Sequence, residues 1–268
     1  MTSKSKLIPL VDLDSVVYRC GFASDSNNDK QGEELSYCLH SVKMSLANIL
    51  DVFEPTDKAR LFLQGKGNYR DRLATIQPYK GNRDPSKRPR WFDEIREYLL
   101  DYHGAELVEG METDDMCGIE QWKHPSRSTC IVTIDKDLDM IPGWHFNYVK
   151  QQMYNVSLAE ANKKFWLQVL TGDTTDNIRG IPKVGAKTAE KILEGIDGWA
   201  DMGAAVMKAY EAKGIANEFH ENATLLWIQR QHMINYDGSR LDIGSKEEGY
   251  EEVSEEESGQ NPTVLCTP

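Results

Sequence analysis

The stretch at residues 171–189 reads TGDTTDNIRGIPKVGAKTA and combines two carboxylates with a glycine-bounded basic turn. Asp173 and Asp176 are three residues apart, a spacing that on a helical turn places both acids on one face, within reach of one cation. The turn from Gly180 to Gly185 lets backbone N–H groups approach a phosphate, and the start of a following helix favours an anion. Metal ligands beside a phosphate-binding turn indicate a metal-dependent nuclease.

The composition predicts a folded protein in a reducing compartment. The chain has 268 residues, of which 40% are hydrophobic, so it can bury a sizeable core. No apolar run approaches the roughly 20 residues that cross a bilayer, and the N-terminal residues lack the apolar region of a secretory signal. We therefore expect a cytoplasmic location, which is the host cytoplasm if a phage encodes the chain. Five cysteines without paired spacing favour reduced thiols and argue against a zinc site.

The formal net charge of −12 disfavours nucleic-acid binding at first sight, but the charge is unevenly distributed. Residues 245–258 carry seven Glu and one Lys, about half of the acidic excess. Residues 64–91 carry eight Lys or Arg against two Asp, and residues 177–191 carry four against one Glu. Because the local field guides a polyanion more than the total charge does, these two basic segments are candidate nucleic-acid contacts.

Short apolar runs alternate along the chain with segments of helical spacing. The predicted strands cover residues 7–12, 59–63, 105–108, 128–134 and 145–149. The predicted helices cover residues 34–52, 91–102, 113–122, 158–170, 200–210 and 217–236, together with two helices around the glycine turn within 177–194. Strands that alternate with helices predict an α/β fold with a mainly parallel central sheet flanked by helices.

Acidic side chains occur where predicted strands end. Asp12 ends the first strand, the sequence DKD at 135–137 follows the clearest strand, and ETDD at 112–115 lies where a strand gives way to a helix. Ligands of open α/β sheets bind beyond the carboxyl ends of strands, so we expect these acids to meet Asp173 and Asp176 in one crevice. The candidate metal ligands are Asp12, Glu112, Asp114, Asp115, Asp135, Asp137, Asp173 and Asp176.

Such crowding of carboxylates requires cations to offset the repulsion. Oxygen ligands favour hard ions such as Mg²⁺ or Mn²⁺. Two ions about 3.5–4 Å apart would activate a water and stabilise the leaving oxygen of a phosphodiester. Taken singly, each acidic group also has an ordinary explanation as turn or helix-cap residues. Their joint placement is what favours a metal site.

In this order, the motifs resemble those of the 5′-nuclease superfamily, which includes flap endonucleases, the 5′-nuclease domain of bacterial DNA polymerase I and stand-alone bacteriophage 5′→3′ exonucleases. The resemblance runs from about residue 7 to about residue 195, with an extension to about residue 240. The motifs that carry it are Val11-Asp12 with Tyr18-Arg19, Tyr79-Lys80-Gly81-Asn82-Arg83, Glu112-Thr113-Asp114-Asp115, Asp135-Lys136-Asp137 and Gly172 to Gly180. Without a polymerase region, the chain resembles the phage stand-alone type.

The resemblance implies a PIN-like fold with a helical arch and a C-terminal helix–hairpin–helix type subdomain. It assigns the eight acids to a site for two divalent ions. Lys80 and Arg83 match basic residues at the base of the arch that contact the scissile phosphate, and Arg70 in the same region is a third catalytic candidate. The turn from Gly180 to Gly185 matches an element that grips one duplex strand, often around a K⁺ ion. The expected DNA contacts are Tyr79, Arg179, Gly180, Lys183, Gly185 and Lys187.

One position departs from the family pattern. The family commonly has an Asp directly after the second strand, where this chain has Gln64. The resemblance leaves open whether Gln64, a water or Asp71 fills that place. In the surrounding basic segment we expect Tyr69 and Tyr79 to stack on unpaired bases, the alternative being a flexible, solvated loop.

The predicted domains are a catalytic α/β core over residues 1–170 with a basic arch region at 64–92, a helical DNA-binding subdomain over 171–244 and an acidic disordered tail over 245–268. The predicted function is a divalent-metal-dependent 5′→3′ exonuclease and flap endonuclease acting on DNA with a free 5′ end, flap or nick in replication, primer removal or recombination. A PIN-type ribonuclease and a structure-specific DNA-binding protein without catalysis are the alternatives. An RNA–DNA hybrid and a replication protein are further candidate partners, and no membrane is expected.

Overall fold

A six-stranded sheet forms the centre of the computed structural model, which describes residues 4–26, 34–54, 56–84, 86–124 and 128–242. Its strands are β1 (Ile8–Asp12), β2 (Arg60–Gln64), β3 (Glu106–Val108), β4 (Thr129–Val132), β5 (Gly143–Asn147) and β6 (Gln152–Val156). Strands β1 to β5 run parallel in the order β3-β2-β1-β4-β5, and β6 adds an antiparallel edge beside β5. The expected α/β fold with a mainly parallel sheet is confirmed. The predicted acidic tail lies outside the described residues.

Helices pack against this sheet and continue beyond it. They are α1 (Leu13–Asp25), α2 (Leu35–Leu50), α3 (Tyr69–Leu73), α4 (Phe92–His103), α5 (Thr113–Lys123), α6 (Leu158–Thr171), α7 (Ala186–Ile192), α8 (Trp199–Glu211) and α9 (Phe219–Leu226). A minimal strand pair, β7 (Gly172–Asp173) and β8 (Ile178–Arg179), lies between α6 and α7. Within the described ranges, none of the helices combines the length and the apolar character that crossing a membrane requires.

The order of the strands places one crevice at the edge of the sheet. From β1 the chain moves outward through β2 to β3, and it then returns so that β4 pairs with the other side of β1. Chain connections on the two sides of such a switch point diverge and leave a crevice at the carboxyl ends of the strands. Asp12 is the last residue of β1, and Asp135 and Asp137 follow β4, so the fold directs all three toward this crevice.

Alternate strand residues enter two hydrophobic cores, because successive side chains of a strand point to opposite faces. Leu10 and Phe62 belong to a core that extends through α6 and α8 to Leu241. Val11 and Leu63 belong to a second core with α1, α2 and α4. The first core contains residues from both of the predicted domains, and their division stays a prediction. The four cysteines in the described part of the chain are buried and free.

The structure differs from the prediction after one strand and at the end of one helix. The predicted strand at 145–149 is β5, and the chain then returns as β6, a half-exposed edge strand that lacks a continuous apolar run. The predicted helix at 217–236 ends at Leu226, beyond which Trp227 is extended. The carbonyl group of Trp227 accepts a hydrogen bond of 2.6 Å from Arg70. Long-range hydrogen bonds of this kind replace the helical ones in this segment.

The first of the two helices predicted around the glycine turn is absent, and only α7 forms there. The carboxylate of Asp173 accepts hydrogen bonds from the N–H groups of Thr175 at 2.7 Å and Asp176 at 3.3 Å, which stabilise a turn in competition with a helix. Gly172 has φ 72, and a Cβ atom there would lie 2.1 Å from the backbone nitrogen of Gly180. Asp173 and Asp176 therefore lie in a tight β-turn connection, which corrects the expectation that they share a helical face.

We expect Gly172→Ala to lower the free energy of unfolding by about 3 kcal/mol or more, because the new methyl group meets backbone atoms in a left-handed conformation. Gly195 also has a positive φ of 73, but no atom lies within 4 Å of its Cβ position. Gly195→Ala should therefore lose only about 1 kcal/mol. Urea denaturation followed by circular dichroism measures both variants, and equal losses would contradict a tight contact between Gly172 and Gly180.

Candidate active site

A cleft of about 190 Å³ opens at the edge of the sheet where the acidic motifs meet. The predicted metal-site acids in its lining are Glu112, Asp114, Asp135, Asp137, Asp173 and Asp176. Lys80 and Arg83 line the same cleft, so the two expected kinds of site residue come together. A larger cavity of about 400 Å³ lies against α1 and α2, and no carboxylate is found among the described residues that line it.

Asp12 is buried close to this cleft, at 4% exposure. Its carboxylate accepts a hydrogen bond of 2.9 Å from the hydroxyl of Thr133. Burial, followed by the negative charge of Asp14, raises the pKa of Asp12 to about 7. Burial and then the charges of Asp12 and Asp135 raise the pKa of Asp114 well above its usual range. These carboxyl groups are therefore crowded in a poorly solvated place, where their charged forms are unfavourable.

The basic residues of the cleft form ion pairs with the acids. The ammonium group of Lys80 contacts Glu112 and lies 3.7 Å from Asp176, and the guanidinium of Arg83 lies 2.7 Å from Asp176. The hydroxyl of Tyr79 lies 2.7 Å from a carboxylate oxygen of Asp176 and 3.0 Å from one of Glu112. Burial acts to raise the pKa of Glu112, but the charges of Lys80 and Arg70 and the hydrogen bonds from Lys80 and Tyr79 together lower this pKa below its usual value.

Residues 78–83 are ordered by docking on residues 174–177. The N–H group of Lys80 donates a hydrogen bond of 2.9 Å to the carbonyl of Asp176, and two asparagine side chains donate to backbone carbonyls across the same contact. Lys80 has a φ of 52, a strained conformation that persists where the surroundings enforce it. The part of the basic segment that carries Lys80 and Arg83 is therefore fixed against the acidic turn, in contrast to the alternative of a flexible, solvated loop.

No group of three or more His, Cys, Asp or Glu side chains is already arranged to hold a metal ion within the described part of the chain. Lys80 and Arg83 each bind one carboxylate oxygen in the cleft, of Glu112 and Asp176 respectively. The structure thus brings the predicted acids to one cleft, and their role as metal ligands stays a prediction.

The basic glycine turn presents its cations to solvent. Lys183 and Lys187 are exposed, and Lys183 has a left-handed φ of 66. Gly185 precedes α7, and Gly180 packs against the end of α6. Arg179 is exposed on β8. Gly185 is also exposed, whereas Gly180 is half-buried. The expected DNA contacts of these five residues stay predictions.

Comparison with known proteins finds similar nucleases and polymerases. No profile of a known protein family matches the chain. DNA polymerase I of Bacillus caldotenax is 30% identical over 208 residues, which cover 71% of this chain and 23% of that protein. The 5′-3′ exonuclease of Buchnera aphidicola is 27% identical over 207 residues, which cover 72% of this chain and 71% of that protein. The chain is thus similar to a stand-alone 5′-3′ exonuclease and to part of a DNA polymerase I. It matches less than a quarter of the length of the Bacillus polymerase.

Solved structures of a bacteriophage T5 protein share the fold of this chain. The T5 D15 protein crystallised with metal ions has a TM-score of 0.57 at 19% identity, covering 82% of this chain and 88% of that one. The T5 D15 flap endonuclease in a pseudo-enzyme–product complex with DNA and metal ions has a TM-score of 0.56 at 22% identity. The PIN-like fold expected from the resemblance is confirmed, whereas the helical arch and the helix–hairpin–helix type subdomain stay predictions. The metal ions and DNA belong to the T5 protein.

Two residues expected in the site form a buried ion pair behind the cleft, and Arg70 also contributes to the cleft lining. Arg70 and Asp115 are 2% and 0% exposed, and they form a two-pronged ion pair with distances of 2.5 and 2.9 Å. The guanidinium of Arg70 also donates to the backbone carbonyls of Leu225 and Trp227. Asp115 further accepts from the N–H group of Gln229. These bonds use the polar atoms of both side chains, which corrects the expectation of a phosphate contact for Arg70 and a metal ligand at Asp115.

The two tyrosines of the basic segment are also placed differently from the expectation. Tyr69 and Tyr79 are 3% and 7% exposed, and both rings pack in the hydrophobic core. The guanidinium of Arg70 lies 4.6 Å from the ring centre of Tyr69. Buried rings offer no face to an unpaired base, so the predicted stacking role is wrong, and Tyr79 instead holds two acids of the cleft through its hydroxyl.

The position where the 5′-nuclease family commonly has Asp contains a bonded carboxamide. The side chain of Gln64 donates to the carbonyl of Met111 at 2.9 Å and accepts from the N–H group of Thr113 at 3.2 Å. Asp71 is exposed on α3. The sequence interpretation missed Asp14. Its negative charge acts on Asp12, and its carboxylate accepts a hydrogen bond of 2.9 Å from the N–H group of Gln64. Its sequence position is typical of an ordinary first-turn helix acid, so no signal separated it.

We expect Arg70→Met to lower the free energy of unfolding by about 3–5 kcal/mol, because it leaves Asp115 charged, buried and without its partner. Arg83→Met is the matched change, since its half-exposed ion pair should contribute less than about 1 kcal/mol. Urea unfolding followed by tryptophan fluorescence compares the two variants. A small loss for Arg70→Met, similar to that for Arg83→Met, would contradict the stabilising role of the buried ion pair.

Proposed function

We propose that the chain is a divalent-metal-dependent 5′→3′ exonuclease and flap endonuclease that hydrolyses DNA phosphodiesters near a free 5′ end. The observation that carries the proposal is one cleft lined by six carboxylates together with Lys80 and Arg83. The 5′-3′ exonuclease of Buchnera aphidicola, matched over 71% of its length, supports the reaction class. Replication, primer removal and recombination are the processes that supply such DNA ends.

The donor set of the cleft fits Mg²⁺ or Mn²⁺. Its described lining contains carboxylates and neither histidine nor cysteine, which is the oxygen-rich chemistry that hard ions prefer. The burial of Asp12 and Asp114 beside other acids is unfavourable for their charged forms, and a bound cation offsets this repulsion. When bound, such ions make a water more acidic and neutralise charge on the phosphate. The residues that would hold two ions are Asp12, Glu112, Asp114, Asp135, Asp137, Asp173 and Asp176.

Lys80 and Arg83 would orient the scissile phosphate. Both cations face the cleft from one docked segment, and both already bind carboxylate oxygens there. A phosphate offers them the same anionic oxygen partners, and Arg is suited to binding two of its oxygens at once. Tyr79 keeps Glu112 and Asp176 in place while the cations change partners.

The exposed glycine turn would hold the duplex away from the reacting phosphate. Lys183 and Lys187 can neutralise backbone phosphates without reading sequence. Arg179 adds a third cation, and the glycines Gly180 and Gly185 let the backbone come close to a strand. We also propose that this turn binds a K⁺ ion.

We expect digestion of flap, nicked and blunt duplex DNA to require Mg²⁺ or Mn²⁺ and to stop when a chelator is added. Asp114→Asn should lower the cleavage rate at least about 100-fold, because it removes a charged ligand. Asp101→Asn, which changes an exposed acid on α4, is the matched control and should cut like the wild type. Substrates labelled at the 5′ or the 3′ end distinguish exonuclease from flap products.

The same digestion separates the alternatives. Cleavage of single-stranded RNA in preference to DNA would support a PIN-type ribonuclease, and tight DNA binding without cleavage would support a binding protein. Full cleavage after chelation of every divalent ion would contradict the proposed metal dependence. An RNA–DNA hybrid placed beside the DNA substrates tests that preference directly.

We expect Lys80→Ala to lower the turnover number by about 100-fold while the affinity for duplex DNA changes by less than about twofold. The reason is that a cation aimed at the cleft acts on the reacting phosphate, where one preorganised donor is worth this much. Lys66→Ala, at an exposed lysine of the same basic segment, should leave turnover unchanged. Single-turnover kinetics and fluorescence anisotropy measure the two quantities. Equal losses in both would make Lys80 a docking charge.

A further inference from the structure

The carboxamide of Gln64 bonds the chain on both sides of Glu112. Its nitrogen donates to the carbonyl of Met111 at 2.9 Å, and its oxygen accepts from the N–H group of Thr113 at 3.2 Å. Glu112 lies between these two residues, immediately before α5, and its side chain lines the acidic cleft. The first turn of α5 contains Asp114, a second acid of the cleft.

This pair of bonds requires a carboxamide at position 64. A carboxamide has a donor and an acceptor on one rigid group, whereas a carboxylate has only acceptors. A Glu at this position would direct an oxygen toward the carbonyl of Met111, and an aliphatic side chain would bond neither backbone group. Gln64 is therefore matched in chemistry to the backbone that flanks Glu112.

The backbone of Gln64 is anchored as firmly as its side chain. Its N–H group donates to the carboxylate of Asp14 at 2.9 Å, and its carbonyl accepts from the guanidinium of Arg96. Arg96 also donates to Asp14 at 3.2 Å, which closes a ring of three residues. These hydrogen bonds join the end of β2 to α1 and α4. They hold the backbone of Gln64 in place, and with it the position of the carboxamide.

We propose that Gln64 is a positioning residue of the acidic cleft, which sets the direction of Glu112 and the point at which α5 begins. This inference rests on the proposed function, because it treats Glu112 and Asp114 as metal ligands. Partners that orient metal ligands typically change metal affinity or activity by about 10–100-fold when they are lost. Gln64 thus acts on metal binding through Glu112, without itself needing to touch an ion.

The experiment compares Gln64→Met with Gln121→Met in the full chain. A Met side chain is about as long as that of Gln, but it cannot form the hydrogen bonds to Met111 and Thr113. Gln121 is the matched control, because it is a buried Gln on α5 whose amide lies 3.3 Å from the carbonyl of Pro142. Calorimetric titration with Mn²⁺ in the absence of DNA measures metal affinity, flap cleavage measures activity, and anisotropy in a chelator measures duplex affinity.

We expect Gln64→Met to weaken Mn²⁺ binding and slow cleavage by about 10–100-fold, while the affinity for duplex DNA changes by less than about twofold. Gln121→Met should lose stability and titrate Mn²⁺ like the wild type. Wild-type Mn²⁺ binding by Gln64→Met, or equal weakening in both variants, would overturn the inference. So would a wild-type chain that binds no Mn²⁺.

A second pair of variants tests the same bond from the other side. Thr113→Pro removes the N–H group that donates a hydrogen bond to the side chain of Gln64. Proline is tolerated at the first position of a helix. Glu112 before it has φ −85 and ψ 157, which suits a residue preceding proline. Thr113→Val lacks the same hydroxyl and keeps the N–H group. We expect Mn²⁺ to bind about fivefold more weakly to Thr113→Pro than to Thr113→Val, and equal affinities would count against the proposal.

The outcomes also separate this inference from the proposed function. If the wild type binds Mn²⁺ more tightly than Gln64→Met and cuts none of the nucleic acids, the nuclease proposal fails and the positioning role stands. If the wild type cuts DNA with Mg²⁺ and Gln64→Met matches it in both titration and cleavage, the positioning role fails and the nuclease proposal stands.

Discussion

The buried ion pair between Arg70 and Asp115 is the interaction on which the site depends. It joins the basic segment to α5 and also binds the backbone after α9, so three separated parts of the chain meet at one point. Asp115 accepts from the N–H group of Glu112 as well, at 3.2 Å, so that the pair lies directly behind the cleft. Removing one partner would leave a buried charge, which is far more unfavourable than losing a surface pair.

Much of the positive charge of the basic segment is directed into the molecule. Arg70 is buried with Asp115, while Lys80 and Arg83 pair with acids of the cleft. The charge available to attract DNA from solution is consequently smaller than the composition of residues 64–91 suggests. These cations instead compensate three of the acids, which are Asp115, Glu112 and Asp176.

The convergence of the acids was predictable because it follows from the sheet. Buried parallel strands appear in the sequence as short apolar runs, and their carboxyl ends must meet at one edge. Asp12 and Asp135 were placed together on that basis, and they do act on each other in the structure. The resemblance to the 5′-nuclease superfamily supplied the order of the motifs, and the strand order explains why that order brings them to one cleft.

The sequence pattern does not predict the roles of neighbouring residues when contacts with distant segments determine those roles. Asp114 and Asp115 are adjacent on α5 and so point about 100° apart, one to the cleft and one to the interior. Nothing in ETDD indicates which acid is which, because the choice is made by Arg70, 45 residues away in sequence. The hydrophobic pattern of the sequence therefore predicts which strands end at the same edge of the sheet, and with them which acids. Packing between distant segments decides which of these acids line the cleft and which are buried behind it. The reason is that a buried charge is stable only beside its partner, and that partner comes from elsewhere in the chain.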